Sequence, residues 1–171
     1  MLSSDSLIAC SKERGMPEGK LRGAAREYVQ VLAMKALCQQ PLVGDLVFLG
    51  GTALRLGYAL PRFSEDLDFD ARSLTGAQWK ARLDGAAHEL ARTGLKPELR
   101  CSERGSLLAG EMRFAGFLQA YGLSPVRTEK LCVKFEANRP GYALEAEPRV
   151  IAGYGEMFPA PFAQPGKYLP A

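Results

Sequence analysis

Apolar residues recur along the chain with two different periods, which predict helices and strands. Residues 21–39 combine an apolar and a polar face at helical spacing, and residues 76–92 repeat this pattern behind a capping threonine, Thr75. The short apolar run 46–49 is bounded by turn residues and predicts a buried strand, and a short helix is predicted at residues 52–59. The first half of the chain therefore alternates between helix and strand.

Strict alternation of apolar and polar residues indicates further strands. In residues 66–70, Leu67 and Phe69 lie on one face and three aspartates lie on the other. Residues 130–137 alternate in the same way. Weaker strands are predicted at residues 97–102, 111–117 and 144–151. This order of elements predicts an α+β (α/β-like) fold, in which a mixed β-sheet is flanked by helices.

The two ends of the chain carry less regular patterns. Residues 1–18 are polar and contain Gly15 and Pro17, so we expect a loose N-terminal leader. Residues 19–152 are predicted to form one domain without internal repeats. Residues 153–171 are rich in proline and glycine, which predicts an extended or irregular C-terminal tail.

Composition excludes several classes of protein. Hydrophobic residues make up 47% and charged residues 24% of the chain, as in globular domains. No apolar run approaches the roughly 18 residues of a membrane-spanning helix, so no membrane association is expected. The four cysteines form no Cys-x-x-Cys pair, and one histidine cannot complete a zinc cluster. We expect a cytoplasmic protein, and its net charge of +3 is compatible with phosphate-bearing partners.

The segment Gly50-Gly51-Thr52 lies between a predicted strand and a predicted helix. Backbone N–H groups at a helix N-terminus bind phosphate, and glycines let the phosphate approach closely. The Thr52 hydroxyl adds a donor for a phosphate oxygen. A Gly-Gly pair before a helix is also a common tight turn, so this segment alone leaves both interpretations open.

Carboxylates on the two alternating strands provide candidate metal ligands. Asp66 and Asp68 share one strand face about 6.5–7 Å apart, so both can reach one cation. Glu136 is the candidate third carboxylate, on the polar face of the second strand. The alternative is a solvated strand face. Three carboxylates on one strand nevertheless repel one another unless a metal or a basic partner, such as Arg62 or Lys134, lies among them.

Two long motifs resemble those of a known family. Residues 48–58 read Phe-Leu-Gly-Gly-Thr-Ala-Leu-Arg-Leu-Gly-Tyr, and residues 61–69 read Pro-Arg-Phe-Ser-Glu-Asp-Leu-Asp-Phe. Together with residues 133–138, they closely resemble the AbiEii/AbiGii type IV toxin nucleotidyltransferases of the polymerase-beta-like superfamily. The resemblance covers residues 20–140 approximately and implies the nucleotidyltransferase fold.

The resemblance also implies an activity and partners. It implies a toxin of a bacterial toxin–antitoxin or phage-defence system that transfers a nucleotide from a nucleoside triphosphate (NTP) to RNA, tRNA included, or to protein. Mg²⁺ (or Mn²⁺) would be the cofactor, and a cognate antitoxin would be a partner. Metal binding and catalysis are implied for Asp66, Asp68 and Glu136. Nucleotide binding is implied for Gly50, Gly51, Thr52, Arg62, Ser64 and Lys134.

One departure from the family's pattern suggests an alternative. Family members usually continue into a C-terminal helical region with a lysine-bearing helix and an Arg-Asp motif, which has no counterpart here. The alternative is therefore a truncated, catalytically weak nucleotide-binding module that acts through a partner. We also expect an unusually apolar exposed face where the helical region would pack, which would favour a homo-oligomer or capture of a partner.

Overall fold

The computed structural model describes residues 1–41, 45–140 and 145–164. Helices and strands follow one another in the order expected for an α+β domain. The helices are α1 (Ser4–Glu13), α2 (Leu21–Cys38), α3 (Gly50–Tyr58), α4 (Gly76–Arg92) and α5 (Phe117–Ala120). The strands are β1 (Leu46–Leu49), β2 (Asp66–Ala71), β3 (Glu98–Arg104), β4 (Leu107–Ala115), β5 (Lys130–Asn138), β6 (Ala146–Gly153) and β7 (Glu156–Ala163).

The strands form one sheet in the order β3-β4-β5-β2-β1-β7-β6. Strand β2 runs parallel to β5, and β1 runs parallel to β7. The other neighbours are antiparallel. The predicted mixed sheet flanked by helices is therefore confirmed.

Helices α2 and α4 cover one face of the sheet, where the main core lies. Phe48 of β1 packs between Phe69 of β2 and Phe162 of β7, with ring centroids 5.3 and 5.2 Å apart. Trp79 of α4 contacts Phe69 and is almost fully buried. The alternation read from the sequence therefore correctly identifies Leu67 and Phe69 as core residues.

The opposite face of the sheet, here called the open face, carries polar side chains on β2 to β5. Strand register aligns Asp66 with Lys134, Glu111 and Arg100 in one row across four strands. A second row aligns Asp68 with Glu136, Ala109 and Ser102. The charged residues of the site therefore come from strands that are distant in sequence.

On the β6–β7 ribbon, the open face is apolar instead of polar. The residues of β6 and β7 that point to this face lie opposite one another in the register and are all apolar. The exposed members are Ala146, Pro148, Val150, Ala152, Met157 and Pro159. Met157 and Val150 are 75% and 57% exposed. An apolar exposed surface is thus present on this half of the sheet.

Residues 1–18 do not form a loose leader, so that expectation is wrong. They contain helix α1, which is capped by the Ser3 hydroxyl and buries Leu7 in the main core. The Arg14 guanidinium just after α1 donates to Glu27 of α2 at 2.6 Å. Docking of α1 depends on these long-range contacts, which the polar local composition does not indicate.

Residues 153–164 are also more ordered than the irregular tail we expected, because they include strand β7. Phe158, Ala160 and Phe162 alternate toward the core. Prolines 159 and 161 stand two residues apart, so they remove N–H donors from only one side of the strand. Residue 144 of the predicted last strand and residues 165–171 of the predicted tail lie outside the described residues.

Candidate active site

The paired strands β2 and β5 bring the predicted carboxylates together on the open face. Asp68 lies directly opposite Glu136, and Asp66 lies opposite Lys134. Because β2 and β5 are parallel and in this register, the side chains of Asp66, Asp68 and Glu136 share one face. The prediction that these two strands are neighbours with a common carboxylate face is confirmed.

The electrostatics of the cluster are repulsive. Partial burial of Asp68 raises the pKa of its carboxyl, and the negative charges of Asp66 and Glu136 raise it further. Neither Asp66, Asp68 nor Glu136 forms a side-chain ion pair with a described residue. As these side chains stand, no three His, Cys, Asp or Glu residues in the described ranges converge on one cation. The carboxylates are thus close enough to interact but splayed, as expected of a like-charged group.

The N-terminus of α3 lies against this cluster. Gly50 has a positive φ of 79°, and a Cβ atom there would come within 2.5 Å of Asp68 Oδ2. Only glycine fits this combination of backbone conformation and close contact. No side chain caps the first turn of α3, so its N–H groups remain available for an anion. A phosphate there would lie beside Asp68.

Gly51 and Ser64 are in contact on the same side of the cluster. A Cβ atom on Gly51 would lie 3.1 Å from both Cβ and Oγ of Ser64. Ser64 is half-buried, whereas Arg62 is exposed and forms no ion pair with a described residue. The Arg-x-Ser segment therefore approaches the start of α3, as the sequence motif suggests.

Thr52 requires a correction. Its hydroxyl was expected to donate to a phosphate, but the side chain is only 1% exposed and the hydroxyl donates to the Asp66 carbonyl at 2.5 Å. A hydroxyl has one hydrogen to donate, so this one is used inside the protein. Thr52 joins the start of α3 to the start of β2 and thus positions the two halves of the site.

Gln30 is a positioning residue that sequence reasoning missed. Its side-chain amide is buried and donates to the carbonyls of Ser64 and Glu65, at 3.2 and 2.8 Å. These two carbonyls belong to the residues immediately before Asp66. The only sequence signal for this role is a glutamine among the apolar residues of α2. That signal does not identify its partners, which lie 34 and 35 residues further along the chain.

A buried ionic network holds α3 from its other end. Glu27 of α2 is 3% exposed and accepts hydrogen bonds from Arg14, Arg55 and Tyr154. Burial and the Glu27 charge raise the pKa of Tyr154, so its phenol stays protonated. Arg55 belongs to α3, and the network therefore fixes the helix relative to α1, α2 and the β6–β7 turn.

Two cavities flank the sheet in very different places. A cavity of about 800 Å³ lies at the far end of α3, lined by Arg14, Tyr58 and Arg149 among others. A smaller one, about 440 Å³, lies on β3–β5 and includes Lys134 and Glu136 in its lining. The smaller cavity adjoins the carboxylates, so we connect it, rather than the larger one, with the site's chemistry.

Comparison with models of protein families identifies one family. Residues 32–165 match the family model described as nucleotidyl transferase AbiEii toxin, type IV toxin–antitoxin system. Among curated proteins no sequence matches. No described helix is long and apolar enough to cross a membrane.

Solved structures with the same fold share less than 25% sequence identity with this chain. MenT4, a nucleotidyltransferase toxin of Mycobacterium tuberculosis H37Rv, is 23% identical with a TM-score of 0.60, over 98% of this chain and 56% of that one. JHP933 of Helicobacter pylori is 24% identical with a TM-score of 0.56, over 85% of this chain and 53% of that one. The chain thus spans about half the length of these structures.

Proposed function

Because this chain belongs to the AbiEii family of nucleotidyl transferase toxins, we propose that it carries the metal-dependent active site of such an enzyme. In the proposed reaction, an acceptor hydroxyl oxygen forms a bond to the α-phosphorus of an NTP, and pyrophosphate leaves with the bridging oxygen. The hydroxyl proton passes to a carboxylate or to solvent. The observation that carries the proposal is the Asp66, Asp68 and Glu136 cluster beside the uncapped start of α3.

The three carboxylates fit a divalent cation by their chemistry. They are oxygen ligands, they repel one another, and none of them forms an ion pair with a described residue. To bind one cation, exposed side chains such as Glu136 would have to turn toward Asp66 and Asp68. Bound Mg²⁺ (or Mn²⁺) would neutralise the charge that develops on the phosphate oxygens.

The start of α3 is the proposed phosphate cradle. Gly50 and Gly51 expose backbone N–H groups beside Asp68, and the dipole of α3 favours an anion there. Ser64 lies against Gly51, and Lys134 lies opposite Asp66 on β5. We assign phosphate contacts to both of them and to Arg62, which precedes Ser64 in the loop before β2. Thr52 and Gln30 act on the cradle indirectly, by fixing α3 against the residues that precede Asp66.

RNA, such as tRNA, is the proposed acceptor, and a cognate antitoxin is the proposed partner. Both proposals rest on the family and on the toxin fold shared with MenT4. The apolar face of the β6–β7 ribbon is a surface on which an antitoxin or a second copy would be buried. A weaker activity, limited to nucleotide binding, is the alternative outcome of the experiment below.

The test measures binding and transfer separately. Isothermal titration calorimetry with each NTP, with and without Mg²⁺, should show metal-dependent binding that Asp68→Asn abolishes and Asp84→Asn, on the distant helix α4, preserves. Incubation with labelled NTPs and total RNA then reports transfer. Binding without transfer would identify a nucleotide-binding module, whereas metal-independent or Asp68-independent binding would refute the assigned site.

A further inference from the structure

The cavity on strands β3–β5, here called the trough, is a candidate binding site for a second substrate. It has a volume of about 440 Å³. Its lining includes Arg100, Ser102, Ala109, Glu111, Lys134 and Glu136. We propose that the trough binds the single-stranded end of an acceptor nucleic acid through its phosphates. This inference rests on the proposed function and assigns the acceptor a place in it.

The shape of the trough follows from the side chains on β4. Ala109 and Gly110 form the floor, because neither carries a side chain larger than a methyl group. Arg100 and Ser102 of β3 rise on one side, and Lys134 and Glu136 of β5 rise on the other. The row Ser102–Ala109–Glu136–Asp68 leads directly across the sheet to the carboxylates.

Among the described residues, the cations along the trough are unpaired, whereas those around it form ion pairs. Arg113, Lys130 and Arg139 form ion pairs with Glu111, Glu98 and Glu103. By contrast, Arg100, Arg104 and Lys134 are exposed and form no ion pair with a described residue. Arg104 lies on β3, on the same face as Arg100 and four residues further along.

The acidic residues of the trough already have assigned partners. Glu111 accepts from Arg113 at 2.9 Å, and Glu136 belongs to the proposed cation site. Within the described ranges, Arg100 of the lining and Arg104 beyond it on β3 therefore remain as unpaired cations that suit a chain of phosphates, and Lys134 lies where the trough meets the NTP site.

The position of the trough indicates the acceptor rather than a second NTP. The start of α3 follows β1, on one side of the β2 carboxylates, and the trough begins at β5 on their other side. A triphosphate on α3 and a strand in the trough would thus meet at Asp68 and Glu136 from opposite directions. Transfer requires this arrangement, because the attacking and leaving oxygens lie roughly in line.

The chemistry of the trough favours nucleic acid over protein. Its volume falls in the range of small-ligand pockets, about 300–1,000 Å³, which suits nucleotides of a single strand rather than a duplex. Its rim is cationic, while the apolar surface lies on the β6–β7 ribbon at the other end of the sheet. A protein partner would be expected to use that apolar surface instead.

The experiment reverses the two unpaired arginines of β3 and measures oligonucleotide binding. Fluorescence anisotropy compares the unaltered chain with the double variant Arg100→Glu/Arg104→Glu, using labelled single-stranded RNA and DNA of one sequence over a range of salt concentrations. Lys80→Glu/Arg92→Glu is the charge-matched control, because both exposed residues lie on α4, which covers the opposite face of the sheet. Magnesium-dependent NTP binding is measured on every variant.

The expected result is a loss of affinity on the order of tenfold or more in the double variant, with unchanged NTP binding. The slope of log K against log salt should become shallower by about 1.4, since each phosphate contact with a single strand contributes about 0.7. The RNA and DNA arms identify which polynucleotide is bound. If the double variant loses oligonucleotide binding while neither the unaltered chain nor any variant binds NTP, the trough remains a nucleic-acid site and the proposed function is refuted.

Two results would overturn the trough. One is equal oligonucleotide affinity and salt slope in the unaltered chain and the double variant. The other is an unaltered chain that binds neither polynucleotide at low salt.

Discussion

Replacement of Asp68 by asparagine should stabilise the ligand-free protein, although it removes a proposed metal ligand. Asp68 lies opposite Glu136 and two residues from Asp66 on the same strand face, and none of the three carboxylates forms an ion pair with a described residue. The substitution keeps the size of the side chain and removes its charge. Replacement of a residue that stabilises the fold would lower the free energy of unfolding, so the direction of the change distinguishes the two cases.

The magnitude follows from the strand geometry. Neighbouring strands are about 5 Å apart, and alternate residues on one strand are about 7 Å apart. At these distances two unit charges in water repel by about 0.8 and 0.6 kcal/mol. We use the water value because the cluster is partly exposed and solvent screens it. The expected gain is therefore about 1–1.5 kcal/mol, or roughly 2–6 °C in Tm for a domain of this length.

The gain should depend on pH with a defined sign. The folded chain raises the pKa of Asp68, so the folded state binds this proton more tightly than the unfolded state. Ionisation of Asp68 therefore costs stability as pH rises from the unfolded pKa of about 3.9 through the folded value. The advantage of asparagine should be fully present at neutral pH and should vanish as pH falls toward 4.

Urea unfolding provides the assay, because the single tryptophan, Trp79, is buried and reports loss of the core. Asp84→Asn is the matched control: Asp84 pairs with Lys80 at 2.5 Å, so its loss should be neutral or slightly destabilising. The reasoning is refuted if Asp68→Asn destabilises the ligand-free chain at neutral pH, since Asp68 would then make a favourable contact.

Three further substitutions test how the site is positioned. Gln30→Met should lower stability by about 2 kcal/mol, because two carbonyls lose their donor; a change in urea midpoint no larger than that of exposed Gln119→Met would contradict this. Gly50→Ala should abolish magnesium-dependent NTP binding by displacing Asp68, whereas Gly116→Ala, with a similar φ of 74° but open space, should retain it; equal binding by both would disprove the contact argument. Glu27→Gln should cost about 3–5 kcal/mol, measured by urea unfolding, since it leaves buried arginine charge uncompensated; a cost below about 1 kcal/mol would exclude that role.

The fold was predictable where local pattern and tertiary environment agree. Strand β2 alternates because Leu67 and Phe69 face the core, whereas Asp66 and Asp68 lie half-buried on the open face, so residues 66–70 identified its conformation and its faces. The burial of Asp70 did not follow from this alternation. Helix α4 carries its own start signal in the capping box of Thr75 and Gln78. Helix α1 has no comparable local signal, because its packing depends on Leu7 and on the contact of Arg14 with α2.

The sequence predicted which carboxylates lie together in the site, but it did not predict the contacts of every site residue. The common face of Asp68 and Glu136 followed from alternation, since both strands lie in one sheet in suitable register. The role of Thr52 was wrong because sequence does not show which acceptor a hydroxyl reaches. Gln30 was missed for a similar reason, because the two carbonyls to which it donates hydrogen bonds come close to it only in the folded chain.

The open face has a consequence for the heat capacity of the protein. On this face, side chains such as Arg100, Lys134 and Val150 are exposed to solvent before unfolding as well as after it, so unfolding exposes less new apolar surface than in a domain covered on both sides. The heat-capacity change of unfolding should therefore fall below the usual 12–15 cal/mol/K per residue approximately, and stability should vary only gently with temperature. Conversely, a partner that covers Val150 and Met157 should bind with a distinctly negative heat-capacity change, which calorimetry at several temperatures detects directly.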